Sequence, residues 1–355
     1  MMRLFLLMAA LVCLSASVIR ADVRVQGGGA TFPLPVYQQW AKDFGNANPG
    51  VAIEYAGKGS GAGIGGLIDK TFDFAGSDAP MNDEELAKAK AAGGDVVQVP
   101  SVVGAVVLAY NLPGVSGQLR LSGPVIADIY LGKITQWSDP AIKALNPDLQ
   151  LPDTPISSIH RSEGSGTNFV FTSYLCTQSQ DFQTQVSFGK TVRWPVGQAA
   201  QGNPGVTQAV KQMQGAIGYI ELNYAIQNKI PFALLQNQSG QMINASPETT
   251  SAAGEAAAAD MDRYNKLTVR LWSRPGANVY PISAFTYLIC YKDLGYLKDR
   301  AKAQAIVDFF WYATHQGQEQ TTQLAYAPLS KAVQERVERV LDTISFVGQP
   351  LHHQP

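Results

Sequence analysis

Val102-Val103-Gly104-Ala105-Val106-Val107-Leu108-Ala109-Tyr110 carries no charged residue and shows no alternation of apolar with polar. A strand with one wet face alternates, whereas a strand covered on both faces reads as a continuous apolar run. Ile282 to Tyr291 repeats the pattern near the other end of the chain. Outward from these two runs, strand-like and helix-like stretches alternate, and that order specifies an α/β protein. Val23-Arg24-Val25 enters Gly27-Gly28-Gly29, and a helix follows from Pro33 to Phe44 with Tyr37, Trp40 and Phe44 on one face. Val51 to Tyr55 is a strand, Ala62 to Asp69 a helix and Phe72 to Ala75 a strand. Asn82 and Glu85 form a capping box for a helix over Asp83 to Lys90. Helices are expected at Gly123 to Leu131, Pro140 to Leu145 and Asn168 to Cys176, with strands at Ile156 to His160 and from Gly215 to Tyr219. Two helices, Lys298 to His315 and Lys331 to Ile344, end the pattern. Residues 244–260, rich in Ala, Ser and Thr, give no assignment.

The chain has 355 residues, 46% hydrophobic and 15% charged, enough apolar material for two domains. A formal net charge of −1 offers no field to attract nucleic acid. Met1-Met2-Arg3, the 11-residue apolar run Leu4 to Leu14 and the smaller residues up to Ala21 follow the plan of a cleaved secretory signal over residues 1–21. Its removal takes away Cys13, Arg3 and Arg20, so Lys+Arg falls from 27 to 25 against 28 acids, a charge of −3. Cys176 and Cys290 remain, read as free thiols in apolar segments, with a disulfide as the alternative. The four histidines show no ligand spacing, so neither metal nor cofactor is expected, and His352-His353 read as part of a loose tail over 348–355.

Three times a strand runs into a small-residue loop with a hydroxyl and then opens a helix: Gly29-Ala30-Thr31-Phe32, Gly59-Ser60-Gly61 and Gly164-Ser165-Gly166-Thr167. Each helix start presents unpaired N–H groups and roughly half a positive charge. Three converging starts together with Arg161 would roughly balance a dianion without a basic surface. Taken singly, such Ser and Thr residues are ordinary caps. Gly61-Ala62-Gly63-Ile64-Gly65-Gly66 satisfies G-x-G-x-x-G, but Asp83 lies at a helix start instead of a strand end, which argues against a dinucleotide. Asp78, just past a strand end, looks misplaced beside an anion unless the anion brings a proton, since an ionised carboxylate only accepts hydrogen bonds. Phosphate carries that proton near neutral pH and sulfate does not. Glu163, two residues after Arg161, reads as its ion-pair partner.

With these residues in place, the sequence resembles the bacterial phosphate-binding proteins of the phosphate-specific ABC transporter. The resemblance runs from Val25 to Ile344. It rests on Gly27 to Pro33, Asp73-Phe74-Ala75-Gly76-Ser77-Asp78-Ala79-Pro80, Asp128 to Ile134 with Trp137 and Asp139, Gly164 to Thr167, and Gly215-Ala216-Ile217-Gly218-Tyr219. It implies a type II periplasmic-binding-protein fold, two α/β domains with a ligand cleft and two crossing segments, Val102 to Tyr110 and Ile282 to Tyr291. Domain one would take residues 22–100 and 283–347, domain two residues 101–282. The resemblance also implies that phosphate, as hydrogen phosphate or dihydrogen phosphate, is held by Thr31, Phe32, Ser60, Asp78, Arg161, Ser165, Gly166 and Thr167. Asp78 would receive the phosphate proton. Glu163 stands where the family has Asp and is expected behind Arg161. A periplasmic monomer that hands phosphate to membrane permease subunits, with no enzymatic activity, follows from the same resemblance. Two other readings are a receptor for another oxyanion, molybdate or sulfate, and a secreted serine phosphatase using Ser60, Ser165 or Thr167. No G-x-S-x-G elbow surrounds those hydroxyls.

Overall fold

A computed structural model of the chain describes residues 23–264 and 267–353. The expected secretion signal lies outside the described residues. Eight strands form one mixed sheet: β1 (Val23–Gly29), β2 (Val51–Gly57), β3 (Phe74–Ser77), β4 (Val96–Tyr110), β5 (Ser157–Arg161), β6 (Gln198–Ala200), β7 (Ala216–Glu221) and β8 (Ser283–Tyr291). Their order across the sheet is β2-β1-β3-β8-β4-β7-β5-β6. The first three strands are mutually parallel, as are β7, β5 and β6, while β8 and β4 run antiparallel to their neighbours.

The stretch Val102 to Tyr110 is the far part of β4, and its apolar continuity has the expected cause: every residue from Val99 to Tyr110 is buried. Strand β4 changes partner midway. Val96 to Ala105 pairs with β8, and Val106 to Tyr110 pairs with β7. One strand thus runs through both halves of the sheet. Near that change the register of β8 slips between Thr286 and Tyr287, opposite Pro100 and Val102, so that Ser101 is the extra residue of a bulge. Pro100, with no N–H to give a ladder, suits such a position, and bulges re-aim neighbouring side chains.

The helices around the site are α1 (Leu34–Ala47), α2 (Ser60–Ile68), α3 (Asp83–Gly93), α4 (Gly166–Gln178) and α5 (Gly202–Gln212). The capping box is present: Asn82 accepts from the Glu85 N–H at 2.9 Å and Glu85 accepts from the Asn82 N–H at 2.9 Å. Helices α2 and α4 begin inside their glycine loops, two residues before each expected start, so Ser60 and Gly166 belong to first turns. The alanine-rich stretch is helical over Pro247–Tyr264, opened by Ser246, whose hydroxyl accepts from the Thr249 N–H at 3.2 Å. Alanine's helix propensity governs there once a cap fixes the start. Two later helices, Arg300–Thr314 and Lys331–Leu341, match the expected pair.

The loose tail is a correction. Ser345–Phe346 pairs with Gln349–Pro350, Leu351 is buried, and the ring of His353 stacks on Trp311. Burial of Leu351 and ring stacking outweigh the polar composition that suggested fraying. Cys176 and Cys290 are free thiols. Among the described residues, no helix is long and apolar enough to cross a membrane.

Candidate functional site

The carboxyl ends of the parallel strands in both halves of the sheet face one another, the place where open α/β sheets bind ligands. Thr31 follows β1, Ser60 follows β2 and Asp78 follows β3; opposite them stand Arg161 at the end of β5 and the α4 start that follows it. Contacts cross between the two groups. The Gly61 N–H donates to the Gly164 carbonyl at 2.8 Å, the Gly166 N–H to Ser60 Oγ at 3.0 Å, and Thr167 Oγ1 to Asp78 Oδ2 at 3.3 Å. The structure therefore brings together all eight residues expected to bind, and each of Thr31, Phe32, Ser60, Asp78, Arg161, Ser165, Gly166 and Thr167 is buried.

Two backbone N–H groups are aimed by their neighbours. Tyr55 donates its hydroxyl hydrogen to the Ala30 carbonyl at 3.0 Å, and Tyr224 does the same to the Thr31 carbonyl at 2.6 Å. In a trans peptide the N–H points opposite its carbonyl. Pinning those carbonyls therefore fixes the N–H directions of Thr31 and Phe32. The Phe32 ring itself is core, packed edge-on to Tyr326.

The hydroxyls are constrained in a second way. Thr31 Oγ1 accepts from Arg161 Nη2 at 3.2 Å and from both the main-chain and side-chain nitrogens of Asn203 at 3.0 Å. Ser60 Oγ accepts from Gly166 N at 3.0 Å and more distantly from Asp78 N at 3.4 Å. Ser165 Oγ caps α4 by accepting from Asn168 N at 3.1 Å. A hydroxyl whose acceptor side is filled has its proton left to donate. Capping and anion binding are thus compatible at Ser165. Thr167 turns the other way and gives its proton to Asp78.

Asp78 is 3% exposed and accepts from Thr286 Oγ1 at 2.8 Å as well as from Thr167. Burial pushes its carboxyl up to about 7, although the hydrogen bonds from Thr286 and Thr167 and the charge of Arg161 pull the other way. Asp78 is therefore partly protonated near neutral pH, where the sequence suggests a plain carboxylate. The Glu163 carboxylate accepts from Arg161 through Nε at 3.0 Å and through Nη2. It also accepts from the Gly202 N–H at 3.2 Å. Burial raises the Glu163 carboxyl, but Arg161 and these donors hold it below its ordinary value. Arg161 Nη1 is buried with no hydrogen-bond partner among the described residues. Glu163 is thus the ion-pair partner of Arg161 that the sequence suggests, and it compensates that cation's charge within the protein.

Sequence reading missed two contributors. Asn203, in the first turn of α5, binds Thr31 from the opposite half, and α5 brings a further helix start to the site; Gly202-Asn203-Pro204-Gly205 reads as a turn. Thr286 lies within an apolar strand and gave no signal beyond being the one hydroxyl-bearing threonine in that run. His160 stands apart: its ring stacks on Trp194 and its Nδ1 lies 3.2 Å from the Arg161 carbonyl. It makes no hydrogen bond with Ser60, Ser165 or Thr167 among the described residues.

The model of the PBP superfamily domain matches residues 16–313. The phosphate-binding protein PstS of Xylella fastidiosa is 41% identical over 318 residues, covering 89% of this chain and 84% of that protein. PstS of Pasteurella multocida is 39% identical and covers 88% of each. Among solved structures, a periplasmic phosphate-binding protein (PfluDING) bound with phosphate superposes with a TM-score of 0.71 at 24% identity, over 89% of this chain and 93% of that one. A phosphate-binding protein from Stenotrophomonas maltophilia gives a TM-score of 0.67 at 23% identity, over 89% and 94%. These likenesses show the α/β periplasmic-binding-protein fold, and by its superfamily match and its identity to the PstS proteins over most of its length, the chain belongs to the family of phosphate-binding proteins PstS.

Proposed function

We propose that this chain is the phosphate receptor of a phosphate ABC importer. One observation carries the reading: a buried carboxyl, Asp78, sits among hydroxyl and N–H donors drawn from both halves of the sheet. Donors alone would serve any oxyanion. The carboxyl adds a group that, when ionised, can only accept a hydrogen bond, and phosphate brings the proton for it near neutral pH where sulfate does not. In this reading Thr31, Phe32, Ser60, Arg161, Ser165 and Gly166 surround the phosphate, Asp78 and Thr167 hold its protonated edge, and Asn203 and Glu163 orient Thr31 and Arg161.

The two halves act as hinged domains, residues 22–100 with 283–347 and residues 101–282, joined through β4 and β8. Closure is favoured because the ligand contacts both sides only in the closed form. The receptor works as a monomer in the periplasm, delivers phosphate to the permease subunits and performs no chemistry on it. The placement of His160 supports that last point, since among the described residues the imidazole stacks on Trp194 and makes no hydrogen bond with Ser60, Ser165 or Thr167. Titration calorimetry of the secreted form with phosphate, arsenate and sulfate tests the proposal. Phosphate and arsenate should bind at neutral pH and sulfate more weakly, the gap widening as pH rises and Asp78 loses its proton, toward the roughly 10⁴-fold discrimination available to a site built around one hydrogen bond. Equal affinities for phosphate and sulfate would refute it.

A further inference from the structure

Lys190, which the sequence does not single out, occupies a revealing position. It lies in the segment between α4 and β6, and its carbonyl accepts from the Ser165 N–H at 2.9 Å, so its backbone braces the loop that opens α4. Its ammonium group reaches away from that loop to the other half of the sheet. There Lys190 Nζ meets Glu85 Oε2 at 2.5 Å, with side-chain exposures of 14% for Lys190 and 18% for Glu85. Glu85 Oε2 is fixed in turn by the capping box of α3, where it accepts from the Asn82 N–H. Lys190 Nζ has no other partner among the described residues.

We infer that the Lys190–Glu85 ion pair is an electrostatic latch that holds the two halves closed over the site without touching the ligand. The inference rests on the hinged-domain reading above. In an open form the two side chains would separate and both be hydrated. In the closed form they are largely withdrawn from water at hydrogen-bonding distance, and a pair so placed is less screened than one on the surface. The pair thus favours the closed form and, through closure, retention of whatever occupies the site. It makes no direct contact with the oxyanion, so it should slow release without choosing between anions. Lys190 and Glu85 are positioning residues in this scheme.

Two substitutions isolate the latch. Lys190→Met removes the charge and keeps the carbonyl that braces Ser165. Glu85→Gln removes the partner charge and keeps an acceptor for the capping box, which takes Glu or Gln alike. Stopped-flow release of phosphate should quicken about 3- to 10-fold in each single variant and no further in the double variant, with association unchanged. Phosphate and arsenate should be affected alike. Hydrogen exchange at the Gly61 and Gly166 amides, which bridge the halves, supplies a readout that does not require tight binding. With and without phosphate, exchange there should accelerate by a similar factor in the variants. Unchanged exchange and unchanged release in Lys190→Met would overturn the latch. Accelerated exchange in a protein that binds no phosphate would preserve the latch and overturn the receptor assignment instead. Additive effects in the double variant would mean that the two charges act separately, which also overturns it.

Discussion

Replacing Asp78 by Asn tests the electrostatics of the site without any ligand. In the folded chain the Asp78 carboxyl is pushed by burial from its ordinary 3.8 to about 7. A folded chain that keeps a proton the unfolded chain has released loses stability as pH rises through the interval between the two values. With those two values, the penalty from this group is about 2 kcal/mol at pH 5 and about 4 kcal/mol at pH 8, a change of about 2 kcal/mol. Asparagine does not titrate. Its oxygen can still accept from Thr286 or Thr167, and its amide can donate to the other hydroxyl, so any packing cost should be the same at both pH values. The stability of Asp78→Asn relative to the natural chain should therefore improve by about 2 kcal/mol from pH 5 to pH 8. In thermal unfolding in phosphate-free buffer this is a relative gain of about 4 °C, given the shift per kcal/mol expected for a chain of this size. Glu221, fully buried and held well above its ordinary value mainly by that burial, is raised further by the Asp78 charge, so making the comparison in a Glu221→Gln background keeps its slope out of the difference. A relative stability that stays flat from pH 5 to 8 would mean that Asp78 does not titrate in that window, and the argument would fail.

Other outcomes follow from the same geometry. A Cβ on Gly166 would lie 2.6 Å from Ser60 Oγ and 2.7 Å from the Asp78 nitrogen across the site. Gly166→Ala should therefore weaken phosphate binding by about 100-fold or more in calorimetry while the ligand-free melting temperature stays close to that of the natural chain. Arg161→Lys exchanges a fork that serves Thr31 and Glu163 together for a point charge, and phosphate affinity should fall by about 100-fold while circular dichroism is unchanged. Sulfate should bind only when Asp78 carries the proton, so its affinity should rise about tenfold from pH 8 to pH 6 and level off below, as read by calorimetry in phosphate-free buffer.

Much of this site is readable because glycine and hydroxyl residues bunch where strands end, and a helix start has few other uses for three such loops. Asp78 stands out for the opposite reason, as a charge where charge is expensive. What escaped reading depends on contacts between distant segments. Thr286 looks like one more core residue until the bulge at Ser101 and the pairing of β8 with β3 bring its hydroxyl to Asp78. Asn203 follows a glycine and precedes a proline, the composition of a turn, and only the approach of α5 to Thr31 gives it a partner. The continuous apolar runs reveal burial but not that β4 would leave β8 for β7 at Val106, since both neighbours demand the same apolar faces.

The pairing of Arg161 with Glu163 changes how the site meets a charged ligand. Counted from the sequence, three helix starts and Arg161 together balance a dianion. In the structure Glu163 accepts from two nitrogens of Arg161, so the pair is formally neutral, and the guanidinium is held by Glu163 and Thr31 with Nη1 still unspent. What remains for an anion, beside Arg161 Nη1, is a set of dipoles: the starts of α2 and α4, the aimed N–H groups of Thr31 and Phe32, and hydroxyls whose acceptor sides are filled. Dipoles fixed in this way need no counter-ion and no reorganisation when charge arrives. They are also indifferent to which tetrahedral oxyanion comes. In the proposed receptor, discrimination then falls on Asp78, and the burial that raises its carboxyl is the same burial that would let a single proton, shared with the ligand, decide between phosphate and sulfate.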